Sequence, residues 1–265
     1  EAFYCDNQGP WNGTSSLKHL TPGSFQGHPG GFGWFDLDEV KEAMGPEHEK
    51  PKDGSRFHEE MDRLPHFRPP AVLLPHGTVG NSASGIAPDV SKGKFGPFKE
   101  QLFVADQTHS VINRCFLEKI NGYYQGACFP FVKGFGSGNV PVVQAPDGSL
   151  FSGGTDRGWG ARGGKRYALD RVVWTGKKPF EILEMRIQKD GFELEFTKPV
   201  SKASAESVGS YEMKTHTYIF QGRYGSPRVD ATEPVIKSAK LAKDGKTVKL
   251  VIEGLRRGHV HELKS

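Results

Sequence analysis

Residues 145–159, A-P-D-G-S-L-F-S-G-G-T-D-R-G-W, constrain the fold of this chain more than any other stretch. Asp147-Gly148 is a turn dipeptide, because glycine tolerates the positive φ that a tight hairpin requires. Beyond it Leu150-Phe151-Ser152 begins a strand that runs out into glycines and then Asp156-Arg157. An acid and a base at a strand end are placed where a sheet opens to ligands. The same phrase therefore predicts a hairpin and a site.

The punctuation recurs along the chain. Of 265 residues, 34 are Gly and 18 Pro, and 11% are aromatic, a composition of many short strands joined by tight turns. Strand patterns are expected around Ala2-Phe3-Tyr4, over 16–20, 71–76, 101–106 and 110–117, and after the turns at Asn121-Gly122 and Asp147-Gly148. A strand ending in Asp, a loop and a strand carrying Arg recur as Asp106 to Arg114 and Asp156 to Arg171. The spacing is too irregular for a WD40-type array. Hairpins of this kind are the repeating unit of a β-propeller blade, whose inner strands bring polar residues to a channel mouth.

Two stretches differ in character. Residues 36–68 are charged and helix-permissive, broken at Gly45-Pro46, and read as a surface insertion with one or two short helices. After Lys177-Lys178-Pro179 apolar and polar residues alternate, with turns at Asp190-Gly191 and Asp244-Gly245. Such a series suits a small β-sandwich, and a domain boundary is expected near Pro179.

The formal net charge of +4 is small, and the basic residues are scattered among acids, which argues against nucleic acid as a partner. No run approaches a membrane span. Glu1 stands at the start of a strand and His259 to Leu263 at the end in another, so the chain reads as a fragment of a longer protein. Cys5, Cys115 and Cys128 lack metal-type spacing; they read as buried free thiols, with a Cys115 to Cys128 bridge as the alternative in an oxidising compartment.

The A-P-D-G-S-L-F hairpin, S-A-S-G-I at 82–86, L-F-V-A-D at 102–106 and S-V-I-N-R at 110–114 together resemble the glucose/sorbosone dehydrogenase type of β-propeller. The closest likeness is to the version found as a module of large secreted bacterial proteins, often fused to a c-type cytochrome domain. E-A-F-Y-C-D-N-Q-G-P-W is similar to an earlier blade of that family, and the tail, with D-G-F-E-L-E-F and K-D-G-K-T-V-K-L-V-I-E, is similar to bacterial Ig-like domains. The resemblance implies an all-β chain: residues 1–178 as part of a six-bladed propeller, residues 179–265 as an Ig-like sandwich truncated at its end. It also implies a periplasmic or extracellular place, a sugar substrate, pyrroloquinoline quinone over the channel mouth, calcium polarising it, and a cytochrome as electron acceptor. The family's catalytic His lies in a blade without a counterpart here, so this piece alone is expected to be inactive. The alternative is a propeller without catalysis that binds glycan or a partner protein.

Within that frame His76, Asp106, Asp156 and Arg157 are the catalytic candidates, at or beside strand ends. His109, Arg162, Lys165 and Trp159 are the cofactor candidates: guanidinium and ammonium suit carboxylates, and an indole stacks on a ring. Asp6, Asn7 and Gln8 supply hard oxygens suited to calcium. His28 reads as structural, the pair His259 and His261 has no third metal ligand in sight, and H-E-E-M-D at 58–62 lacks the second His of a zincin motif.

Overall fold

A computed structural model describes residues 1–45, 47, 49–156 and 158–265. Arg157, a catalytic candidate, lies outside the described residues. The chain opens with strands β1 (Ala2–Asp6) and β2 (Ser15–Leu20), passes through a 3-10 turn at Pro29–Trp34 and helices α1 (Asp38–Met44) and α2 (Phe57–Arg63), and returns as β3 (Val72–Leu74) beside β2. His28 caps the 3-10 turn, its Nδ1 accepting the Gly30 N–H at 2.9 Å.

A four-stranded meander follows: β4 (Ala83–Pro88), β5 (Leu102–Asp106), β6 (Val111–Ile120) and β7 (Tyr123–Lys133). Asn121 (φ 50°) and Gly122 (φ 84°) close β6 on β7 with two left-handed residues, the geometry a two-residue Asn-Gly hairpin demands. Next come β8 (Asn139–Gln144), β9 (Leu150–Thr155) and β10 (Tyr167–Val172), the first two joined through Asp147-Gly148. These three sheets stack face to face. Leu17, Val72 and Leu74 meet Ala83, Val104 and Cys115 in one core. Phe103, Ala105 and Ile112 meet Val142 and Leu150 in the next.

Residues beyond 180 form two further antiparallel sheets. One runs β11 (Ile182–Gln188), β12 (Gly191–Phe196), then β16 (Thr247–Glu253) and β15 (Val235–Leu241). The other sets β13 (Glu212–Thr217) between β14 (Val229–Thr232) and β17 (Val260–Lys264), with the short α3 (Lys202–Ala205) at the side. Phe192, Leu194, Met213, Val248 and Leu250 share one core. The chain is thus all-β, built from several small antiparallel sheets, none closed on itself. No helix among the described residues is long and apolar enough to cross a membrane.

The 36–68 segment does carry two short helices, and its later part contributes to a core. Phe57, Glu60, Met61 and Leu64 recur at helical spacing along α2, and that stripe is buried with Phe25, Phe32 and Phe67 against Tyr218 and Phe220. The backbone joins as well: Gly54 N–H donates to Phe220 O at 2.7 Å, and Phe220 N–H to Ser55 O at 2.8 Å. A common core therefore crosses the line expected near Pro179.

The three cysteines are free thiols. Cys115 stands directly opposite Cys128 in the β6–β7 register, and Cys5 packs nearby.

Candidate functional site

Asp106 ends β5, and its carboxylate is buried. One oxygen accepts the N–H groups of Asn81 (2.7 Å) and Ser82 (2.9 Å), and the other accepts the His109 N–H (2.7 Å). Three backbone donors converge on this one acid, so Asp106 fixes the turn that starts β6 and the chain that enters β4. It positions the site rather than reacting in it.

The segment between β9 and β10 lies over that turn. Arg162 N–H donates to Thr108 O at 3.0 Å, Gly163 N–H to Ser110 Oγ at 2.8 Å, and Lys165 N–H to Gly136 O at 2.9 Å. Gln107 Nε2 reaches back to the carbonyls of Thr155 (3.3 Å) and Trp159 (3.4 Å). Asp156 acts as a turn former, its Oδ1 accepting the Gly158 N–H at 3.2 Å. Arg162 and Lys165 are exposed.

His109 is buried below this loop. Burial pushes its imidazole pKa down; the Asp106 charge opposes this, and the charges of Arg162 and His76 reinforce it. His76 is exposed, with its backbone N–H bound to Thr14 Oγ1 at 2.9 Å. His76, Asp106, His109 and Arg162 thus form one electrostatic neighbourhood.

Beside it opens a cleft of about 350 Å3, walled by the amides of Asn7 and Gln107, by Ser82, Ala83 and Ser84, and by Val140 and Trp159. Next to the wall residue Ser84, Gly85 has no side chain: a Cβ there would lie 2.4 Å from Val140 O, so only glycine lets β4 and β8 approach this closely. Ser84 Oγ uses that approach to donate to Asn139 O at 2.8 Å, and Ser82 Oγ meets Thr108 Oγ1 at 2.9 Å. Trp159 leaves 69% of its surface exposed. Asn139, next to the wall residue Val140, holds both atoms of its amide buried with no partner among the described residues.

Of the expected site residues, Asn7 and Trp159 line the cleft, while His76, Asp106, His109 and Arg162 gather beside it. The calcium triplet does not assemble. Asp6 is ion-paired to the buried Lys18 ammonium at 2.6 Å, Asn7 lines the cleft, and Gln8 packs on Gly225 while its amide donates to Gly13 O at 3.0 Å. Neighbours in an extended segment point to opposite sides, and an ammonium at Asp6 repels a cation. Among the described residues no three His, Cys, Asp or Glu side chains come together as metal ligands. For a carboxylated quinone the types fit better, since a guanidinium, an ammonium and a buried imidazole belong to the same loop region.

Ser82, Ser84, Gln107, Asn139 and Val140 were not among the expected residues. The S-A-S-G pattern, with small polar residues alternating before a strand glycine, is the trace they leave in the sequence. Searches of the sequence against protein-family models and curated proteins, and of the structure against solved structures, return no match.

Proposed function

We propose that the cleft beside Trp159 binds a carbohydrate, on a propeller-type scaffold of stacked blades joined to an Ig-like sandwich. The observation that carries this reading is a broadly exposed indole bordering a cleft of amides and hydroxyls. The C–H face of a sugar ring stacks on an indole, and its hydroxyls, each donor and acceptor, match Asn7, Gln107, Ser82 and Ser84. The role in this reading is recognition, with Asp106 held by three backbone donors as part of the frame. A periplasmic or extracellular location goes with a glycan ligand.

Titration calorimetry with a panel of mono- and oligosaccharides, run on the whole chain and on Trp159→Ala, tests this. Saturable binding that the variant weakens about tenfold or more supports it. No saturable binding across the panel, or equal binding by the variant, overturns it.

A second reading, oxidation of the bound sugar within a parent dehydrogenase, is favoured by His109. Burial lowers its pKa and so favours the neutral imidazole, the form that accepts a hydroxyl proton. Arg162 and Lys165 would hold the carboxylates of a quinone. A bound pyrroloquinoline quinone supplies the two-electron acceptor for that oxidation, and a c-type cytochrome domain would receive the electrons. Quinone titration followed by absorbance supports this reading if binding saturates and Arg162→Ala weakens it; an unsaturable response overturns it.

A further inference from the structure

A second cavity, of about 620 Å3, lies between α2 and the turn before β17. Arg56, His58 and Glu59 form one wall, Arg256, Arg257 and His259 the other, and Asp230 completes it. Gly258 (φ +72°) brings the walls together, since a Cβ there would fall 2.9 Å from His58 Cβ.

The acids at this cavity are engaged within the protein. Asp230 takes Arg56 Nε at 3.0 Å and Nη2 at 3.2 Å, and Glu59 accepts the Arg56 N–H at 2.8 Å. Asp62, just outside, takes Arg257 Nη1 at 2.8 Å. Arg56 also sets Nη1 on Gly54 O at 3.1 Å, so each of its three nitrogens is engaged within the protein.

The donors on the opposite side are in surplus. The Arg256 guanidinium has no ion pair or hydrogen bond among the described residues, and Arg257 has only one of its donors engaged. The Nδ1 atoms of His58 and His259 are buried without a partner among the described residues, in rings whose centres are 6.2 Å apart. Both imidazoles line the cavity beside the Arg256 guanidinium, so its lining presents more donors than the protein's own acids engage. Three guanidiniums exclude a metal cation as the occupant. A tetrahedral oxyanion offers several oxygens in divergent directions, which suits donors arriving from two opposed walls.

We propose that this cavity binds a small phosphate-bearing molecule, held by Arg256 and Arg257 beside the imidazole rings of His58 and His259. Arg56 and Asp230 are its frame, and Asp230 holds a left-handed backbone (φ 55°) to meet Arg56. The site is separate from the carbohydrate cleft and stands independently of it.

The test is titration calorimetry of the full chain with inorganic pyrophosphate at fixed ionic strength, with Arg256→Ala and Arg256→Lys alongside. Arg256 is exposed, so both variants keep the fold, and a thermal melt verifies that. The expected result is one saturable site, weakened about tenfold or more in Arg256→Ala and partly restored in Arg256→Lys. Nitrogen-15 spectra of the imidazoles should show the His58 and His259 signals moving on titration. Absence of saturation at millimolar pyrophosphate, equal affinity in Arg256→Ala, or unmoved histidine signals overturns the proposal.

Discussion

Arg114, wholly enclosed in β6, donates from Nη2 to the carbonyl oxygen of Ile182 at 2.7 Å. Its Nη1 gives a second bond to Leu183 O, also at 2.7 Å, and the rings of Phe98 and Phe129 lie 4.8 and 4.3 Å from the guanidinium carbon. One side chain thus fastens the second stacked sheet to the strand that begins the C-terminal sheets.

Replacing Arg114 with Met keeps the volume but takes the guanidinium donors from Ile182 O and Gln101 Oε1, while Leu183 O keeps Gln101 Nε2 at 3.0 Å. The expected loss is about 2–4 kcal/mol of unfolding free energy. Urea denaturation measures it, and a change below about 0.5 kcal/mol would show that the pin contributes nothing net.

Asp106→Asn tests the structural assignment of that carboxylate. An amide keeps the shape but turns one of two acceptors into a donor facing N–H groups, so a loss of about 1–3 kcal/mol is expected. Carbohydrate affinity, measured below the melting transition, should fall too, because Asp106 holds Ser82 and the turn carrying Gln107. Full stability in this variant would return Asp106 to the list of reactive groups.

The turns and the alternation were legible because their causes are local. Asn121-Gly122 and Asp147-Gly148 each specify a reversal within four residues, and the strands beside them follow the apolar alternation. The cleft was legible in part. Trp159 and Asn7 stand out by type, whereas Ser82, Gln107 and Val140 become neighbours only when β4 and β8 meet over Gly85. The partner of α2 was illegible for the same reason: its stripe of Phe57, Met61 and Leu64 announces a buried face, but nothing nearby names Phe220 as what covers it.

Stability should fall on acidification between pH 6.5 and 4, with His216 as a main cause. Burial first, then the charges of Arg228 and His259, lowers its pKa to about 4. Above pH 6.5 both folded and unfolded imidazoles are neutral, and the group contributes no slope. Between 6.5 and 4 the unfolded chain takes up a proton that the folded chain refuses, costing on the order of 3 kcal/mol at the lower limit. His261, also lowered to about 4 chiefly by burial, acts in the same direction. Unfolding free energies at pH 7, 6 and 5 should show a shallower slope for His216→Gln than for the parent; equal slopes would refute the assignment.

Thiol chemistry gives an independent check on the first core. A hydrogen bond with Cys128, then burial, holds the Cys115 thiol well above its ordinary pKa, and burial does the same for Cys5. A thiol-reactive disulfide reagent at pH 8 should therefore leave these two untouched in the native protein and titrate all three in urea. Rapid native reaction at Cys115, located by peptide mapping, would contradict the packing described.

The aromatic core joining Phe25 and Phe67 to Tyr218 and Phe220 also sets an order of events during synthesis. At ribosomal rates the chain waits on the order of ten seconds or more between the appearance of Phe25 and of Phe220. Throughout that interval Phe25, Phe32, Phe57 and Phe67 lack their covering rings. The early part of the newborn chain must carry this sticky surface until its last quarter arrives, which makes nascent-chain protection by a chaperone a natural companion of this fold.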